Sequence, residues 1–128
     1  MQVGLTNKRT IDVTEKNIAS SVGSGDLPVF STPSMINLIE STANQSIKPF
    51  LDDNHSTVGT QINVKHLSAT PLGFKITCFT ELTKIEGKRL SFFAKVFDEE
   101  CLIGEGTHER YIIENNKFLT KTNEKLKH

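Results

Sequence analysis

Thr32, Glu40 and His66 supply a hydroxyl, a carboxylate and an imidazole, the set of side chains that acyl transfer uses. Thr32 and Glu40 lie in one segment whose apolar spacing predicts a helix. Ile36, Ala43 and Ile47 stand at i, i+7 and i+11 and define one face, and Glu40 points from the middle of it. A carboxylate buried on such a face must find partners, and carboxylates of this kind are common in active sites. Thr32 and Glu40 are two helical turns apart, ~12 Å along the axis, so they do not touch but could border one substrate. Thr32 precedes Pro33 and also reads as an N-cap with proline in the first helical position. Those two roles are compatible, because an N-cap hydroxyl sits beside free backbone N–H groups that suit a developing oxyanion.

His66 closes a strand-like run. If Ile62 and Val64 face the core, a period of two places His66 on the same side. Taken alone, such a histidine is more often a structural one; the helix residues make it a candidate acid–base group. Two other polar clusters are read differently. Asp52, Asp53, Asn54 and His55 form a polar turn. The dense patch Glu105-Gly106-Thr107-His108-Glu109-Arg110 is read as a structural network of hydrogen bonds and ion pairs ahead of a catalytic one. No Cys/His set has metal-ligand spacing.

These groups need elements to hold them. An extended run at residues 9–13 is followed by a brief helix over 15–21, with Thr14 as its cap. Residues 23–28 are loop by composition and expected to be mobile. The long helix is predicted from 33 to about 51, with Pro49 ending or distorting it. Strands are predicted over 57–66 and 102–114. Between them Phe74, Ile76, Cys78, Thr80 and Leu82 share one side, as do Leu90, Phe92, Ala94 and Val96 after the turn at Gly87. Strand, long helix, then four strands is an α+β pattern: an antiparallel sheet with helix on one face. A strongly curved sheet wrapped around one long central helix is the hot-dog fold.

The 128 residues suffice for one domain with one sizeable core. Fifteen Lys and Arg balance fifteen Asp and Glu, so charge points to neither nucleic acid nor a membrane surface as partner. No stretch approaches the ~20 apolar residues of a membrane helix, and the start lacks the apolar run of a signal peptide. Cys78 and Cys101 make no disulfide framework. A reducing, cytoplasmic location with both thiols free is expected.

Several stretches resemble the fluoroacetyl-CoA thioesterase-like family of the hot-dog superfamily. They are Val29-Phe30-Ser31-Thr32, Glu40, Val58-Gly59-Thr60, His66 with Ala69-Thr70-Pro71, Glu86-Gly87-Lys88-Arg89-Leu90-Ser91, and Ile103-Gly104-Glu105-Gly106-Thr107-His108-Glu109-Arg110. The resemblance covers roughly residues 3–118 in order. It implies a single hot-dog domain over 1–118 with a basic tail at 119–128. It implies Thr32, Glu40 and His66 as a catalytic triad, with Gly59 and Phe30 as substrate-binding positions. It further implies a homodimer with an acyl-CoA bound near the subunit boundary, and no cofactor or metal. One departure stands out: the family's fluoroacetyl-specific enzyme gates its pocket with phenylalanines before the helix, and residues 23–28 contain no aromatic. Three functions therefore stand: hydrolysis of a small acyl-CoA thioester, binding of an acyl-CoA or small ligand without turnover, and hydration or dehydration on the same fold.

Overall fold

The computed structural model describes residues 1–127. Its elements are β1 (Thr6–Asp12), a one-turn α1 (Ala19–Val22), α2 (Thr32–Ile47), β2 (His55–His66), β3 (Lys75–Glu86), β4 (Arg89–Phe97), β5 (Leu102–Glu114) and α3 (Asn115–Asn123). The strands form one antiparallel sheet in the order β1-β3-β4-β5-β2. The sheet curves around α2, which gives the expected hot-dog architecture.

Alternation along the strands builds the core. Ile76, Cys78, Thr80 and Leu82 of β3 and Leu90, Phe92, Ala94 and Val96 of β4 are all buried, as the period of two requires. They meet Met35, Leu38, Ile39, Ala43 and Ile47 of α2. Burying each large aliphatic side chain contributes ~1.5–3 kcal/mol. That packing, more than propensity, holds a helix so rich in Ser, Thr, Asn and Ile.

The buried stripe of α2 differs from the expected face. It runs through Met35, Ile39, Ala43 and Ile47 with Leu38, Thr42 and Ser46 beside it. Ile36 and Glu40 sit one position off this stripe and are half-buried, while Asn37 and Gln45 are exposed. The helix is thus packed on one side rather than enclosed.

The boundaries of α2 also shift. Ser31, not Thr32, is the N-cap, and its hydroxyl accepts from the Ser34 N–H at 3.2 Å. Pro33 falls in the first turn, where its missing N–H costs nothing. The α-helix ends at Ile47, and Lys48–Phe50 tighten into a 3₁₀ turn containing Pro49. The helix expected over 15–21 is mostly a turn: Thr14 donates its N–H to Asn17 Oδ1, and Ile18 bridges to Phe30. Residues 23–28 are irregular and exposed. The chain continues past β5 as a further helix, with its later residues exposed. The Glu114 carboxylate accepts from the N–H groups of Asn116 and Lys117 and starts this helix, α3. His128, the last residue of the expected basic tail, lies outside the described residues.

Candidate active site

Capping by Ser31 leaves the Thr32 hydroxyl free to point away from the helix. It lies 2.8 Å from Nδ1 of His66, at the end of β2. Both residues reach this spot from element termini, one at the first position of α2 and one at the last of β2. The His66 ring stands edge-on to Phe30, 6.5 Å between centroids, and Phe30 is fully buried. Among the described residues no group meets hydrogen-bond geometry with His66 Nε2, which is buried. Burial pushes the imidazole pKa below its ordinary 6.5, with the Ser68 backbone pulling the other way. The ring is therefore neutral at physiological pH and able to take a proton. A cleft of about 350 Å³ opens here, lined by Ala19, Val29, Phe30, Thr32, His66 and Ser68 among others.

Glu40 sits elsewhere. Among the described residues no hydrogen bond joins it to Thr32 or His66, and its side chain is 42% exposed. The expectation of a carboxylate buried in the middle of the apolar face is thus corrected. The reason is the offset of the buried stripe, which places Glu40 on the shoulder of α2. Its partner is Arg110 of β5, whose Nη1 lies 3.8 Å from Glu40 Oε2. A second, smaller cleft of about 240 Å³ lies between Glu40, Gly59, Thr60, Gln61, Ile62 and His108.

Gly59 is placed at this second cleft. A Cβ built on it would stand 2.8 Å from Glu40 Oε2 and 3.4 Å from Arg110 Nη1 and His108 Cε1. The bare backbone is what lets the carboxylate, the guanidinium and the imidazole converge. Just beyond it the ladder between β2 and β5 shifts register between Gly59 and Gln61, a bulge at Thr60.

Arg110 is 6% exposed and heavily tied. Its Nε donates to Thr57 Oγ1 at 2.8 Å and its Nη2 to the Thr57 carbonyl at 3.0 Å. Thr57 Oγ1 in turn donates to Asn44 Oδ1 of α2 at 2.8 Å. His108 is fully buried, stacked on Phe92 at 6.1 Å, with Nδ1 2.8 Å from the Gln61 carbonyl and Nε2 3.2 Å from Arg110 Nη1. Burial lowers the Arg110 pKa against the pull of Glu40. Burial is also the main cause that lowers His108, and the Gln61 carbonyl opposes it. The patch at residues 105–110 does contain a structural network, as expected, and among the described residues its side-chain contacts come from His108 and Arg110. Its link to Glu40 was not foreseen. The available signal was the period of two in β5, which points an arginine inward and so demands an acceptor for its charge.

Known proteins carry related chains. Residues 13–116 match the family model described as fluoroacetyl-CoA-specific thioesterase. The fluoroacetyl-CoA thioesterase of Streptantibioticus cattleyicolor is 39% identical over 97 residues, 76% of this chain and 70% of that protein. A crystal structure of the fluoroacetyl-CoA thioesterase FlK superposes with a TM-score of 0.92 at 33% identity, covering 98% of this chain and 97% of that one. A variant of that enzyme in complex with fluoroacetate and CoA gives 0.87 at 33% identity, over 92% and 99% of the two chains. A hot-dog-like protein from Thermanaerovibrio acidaminovorans shares the fold at 18% identity, with a TM-score of 0.90 over 98% and 93% of the chains.

Proposed function

The chain belongs to the fluoroacetyl-CoA-specific thioesterase family and is a thioester hydrolase, and we propose that it cleaves small acyl-CoA thioesters with Thr32, His66 and Glu40. The observation that carries the reading is the 2.8 Å bond between Thr32 and a neutral His66 at the wall of a cleft. A hydroxyl in that bond is either activated for attack or oriented to hold the acyl oxygen. The adjoining N-terminus of α2 favours negative charge on that oxygen. His66 carries the proton between attacking group and departing thiol. Glu40 activates water or attacks the carbonyl itself. The exposed loop at residues 23–28 has no aromatic ring to close over the acyl group, so the proposed substrate class is small acyl-CoA without discrimination for fluorine.

The acting form is a homodimer. Two features support this: β2 is a twelve-residue edge strand, and α2 has a half-exposed shoulder at Ile36 and Glu40. A second copy covering both would bring further walls to the Glu40 cleft, with CoA held near the boundary. The two unpaired cysteines support a cytoplasmic setting.

Thiol release from acetyl-CoA, fluoroacetyl-CoA and longer acyl-CoAs tests the substrate class, and sedimentation equilibrium tests the dimer. The decisive variant is Glu40→Gln. It should fold normally and lose ~10²-fold or more in turnover, the usual size of a general acid–base contribution. Undiminished hydrolysis by E40Q would remove Glu40 from the mechanism.

A further inference from the structure

The buried His108 is left without a task by the chemistry at Thr32 and His66. Its hydrogen bonds fix its protonation. The Gln61 carbonyl can only accept, so Nδ1 holds the proton. The Arg110 guanidinium can only donate, so Nε2 must be bare. The neutral Nδ1–H tautomer is the form that satisfies both neighbours; an imidazolium would set one N–H against another.

The bond to Arg110 matters because of where Arg110 is held. Thr57 takes its Nε and Nη2, both on one edge of the guanidinium. Two bonds to a single residue act as a hinge line and permit the plane to rock. Nη1 is the corner away from that line, and it is the corner that faces Glu40 at 3.8 Å. His108 Nε2 engages this corner at 3.2 Å and stops the rocking. At 3.8 Å the pair is beyond hydrogen-bond length, so it is the position of the charge at Nη1 that draws the half-exposed Glu40 carboxylate.

We infer that His108 is a positioning residue for the Glu40 carboxylate, acting through the Arg110 guanidinium as the Nδ1–H tautomer. Its kinetic consequence rests on the hydrolase reading; its structural consequence does not.

The competing explanation is that His108 only fills space against Phe92. Two substitutions oppose the explanations directly. His108→Phe keeps the ring and the stack but removes donor and acceptor. His108→Gln loses the ring but keeps an N–H for Gln61 and an oxygen for Arg110. Positioning predicts that H108F lowers kcat on acetyl-CoA ~10- to 100-fold with KM changed no more than about twofold, and that H108Q recovers most of the loss. Packing predicts the reverse order, and that reverse order, or full kcat in folded H108F, overturns the inference.

A readout free of turnover accompanies the kinetics. In the intact protein at neutral pH, ¹⁵N spectra of His108 should show a pyrrole-type Nδ1 and a pyridine-type Nε2. The opposite tautomer or an imidazolium would overturn the assignment. The carboxyl ¹³C signal of Glu40, identified by its loss in E40Q, should move in H108F and stay in H108Q. Should the intact protein release no thiol from any acyl-CoA, the hydrolase reading falls, and the two spectra alone decide the role of His108. Should H108F fail to fold, the tautomer and the Glu40 signal in H108Q decide it: a shifted signal there counts against positioning.

Discussion

At the scale of single residues, the site divides into two charge environments. Thr32 and His66 form a neutral pair in which burial keeps the imidazole unprotonated. Glu40 and Arg110 form a charged pair in which the cation is buried and the anion is half-exposed. Gly59 controls the second. A methyl group there would sit 2.8 Å from Glu40 Oε2, the free end of a flexible side chain. The carboxylate can swing out toward solvent, so the fold need not move. Gly59→Ala should therefore cost well under ~1 kcal/mol of stability, as expected where only an exposed side chain rearranges. It should nonetheless cut kcat by ~10-fold or more, because the carboxylate leaves its position. Urea unfolding and thiol release on the same sample check both halves; a large stability loss with unchanged kcat would refute the argument.

At the scale of elements, another glycine behaves in the opposite way. Gly106 in the middle of β5 pairs with Val64 of β2 and Ala94 of β4. A Cβ at Gly106 would lie 2.7 Å from Val64 Cα and closer still to the Asn63 carbonyl. Backbone cannot swing aside, so Gly106→Ala should destabilise by ~1–3 kcal/mol, the range for overpacking a tight site. It should show as a lower urea midpoint, and an unchanged midpoint would mean that the strands separate freely. The elements themselves were largely legible in the sequence. The strands were, because Phe74 to Leu82 and Leu90 to Val96 alternate cleanly. The buried face of α2 lies one position away from the face that its apolar spacing suggests. Glu40 follows Ile39 directly, and at 100° per residue a boundary position satisfies a loose apolar pattern almost as well as a central one. The partner of Glu40 was only half legible: the period of two in β5 turns Arg110 inward, but not toward any particular acid. The bulge at Thr60 resets which β5 residues lie beside the cleft, and nothing local in the sequence announces such a slip.

At the scale of the whole molecule, the half-buried His66 and the buried His108 tie stability to pH. Burial holds the folded pKa values of His66 and His108 below 6.5, so near that pH the unfolded chain binds more protons. Their contribution to stability is complete above about 6.5 and is lost as pH falls through the depressed folded values. Asp52 and Asp98 have folded pKa values lowered from 3.8 and act only in a more acidic range. Thermal melts taken from about pH 8 to about pH 5 should show a flat Tm that declines below the ordinary histidine range. The H108Q variant should show a shallower decline, since one of the two groups is gone. A Tm independent of pH across that interval would mean that neither ring resists protonation when folded.

The two cysteines behave unequally. Cys78 is buried in the core with its thiol pushed up to about 11, whereas Cys101 is exposed in the turn between β4 and β5. A chromogenic disulfide reagent used to count liberated CoA will also colour with Cys101, one molar equivalent of enzyme, while Cys78 stays silent. That blank is stoichiometric and independent of substrate, and it must be subtracted before any fast initial phase is ascribed to an acylated protein. Replacing Cys101 with serine removes it at the source, and keeping it provides one chemically addressable point for a fluorophore.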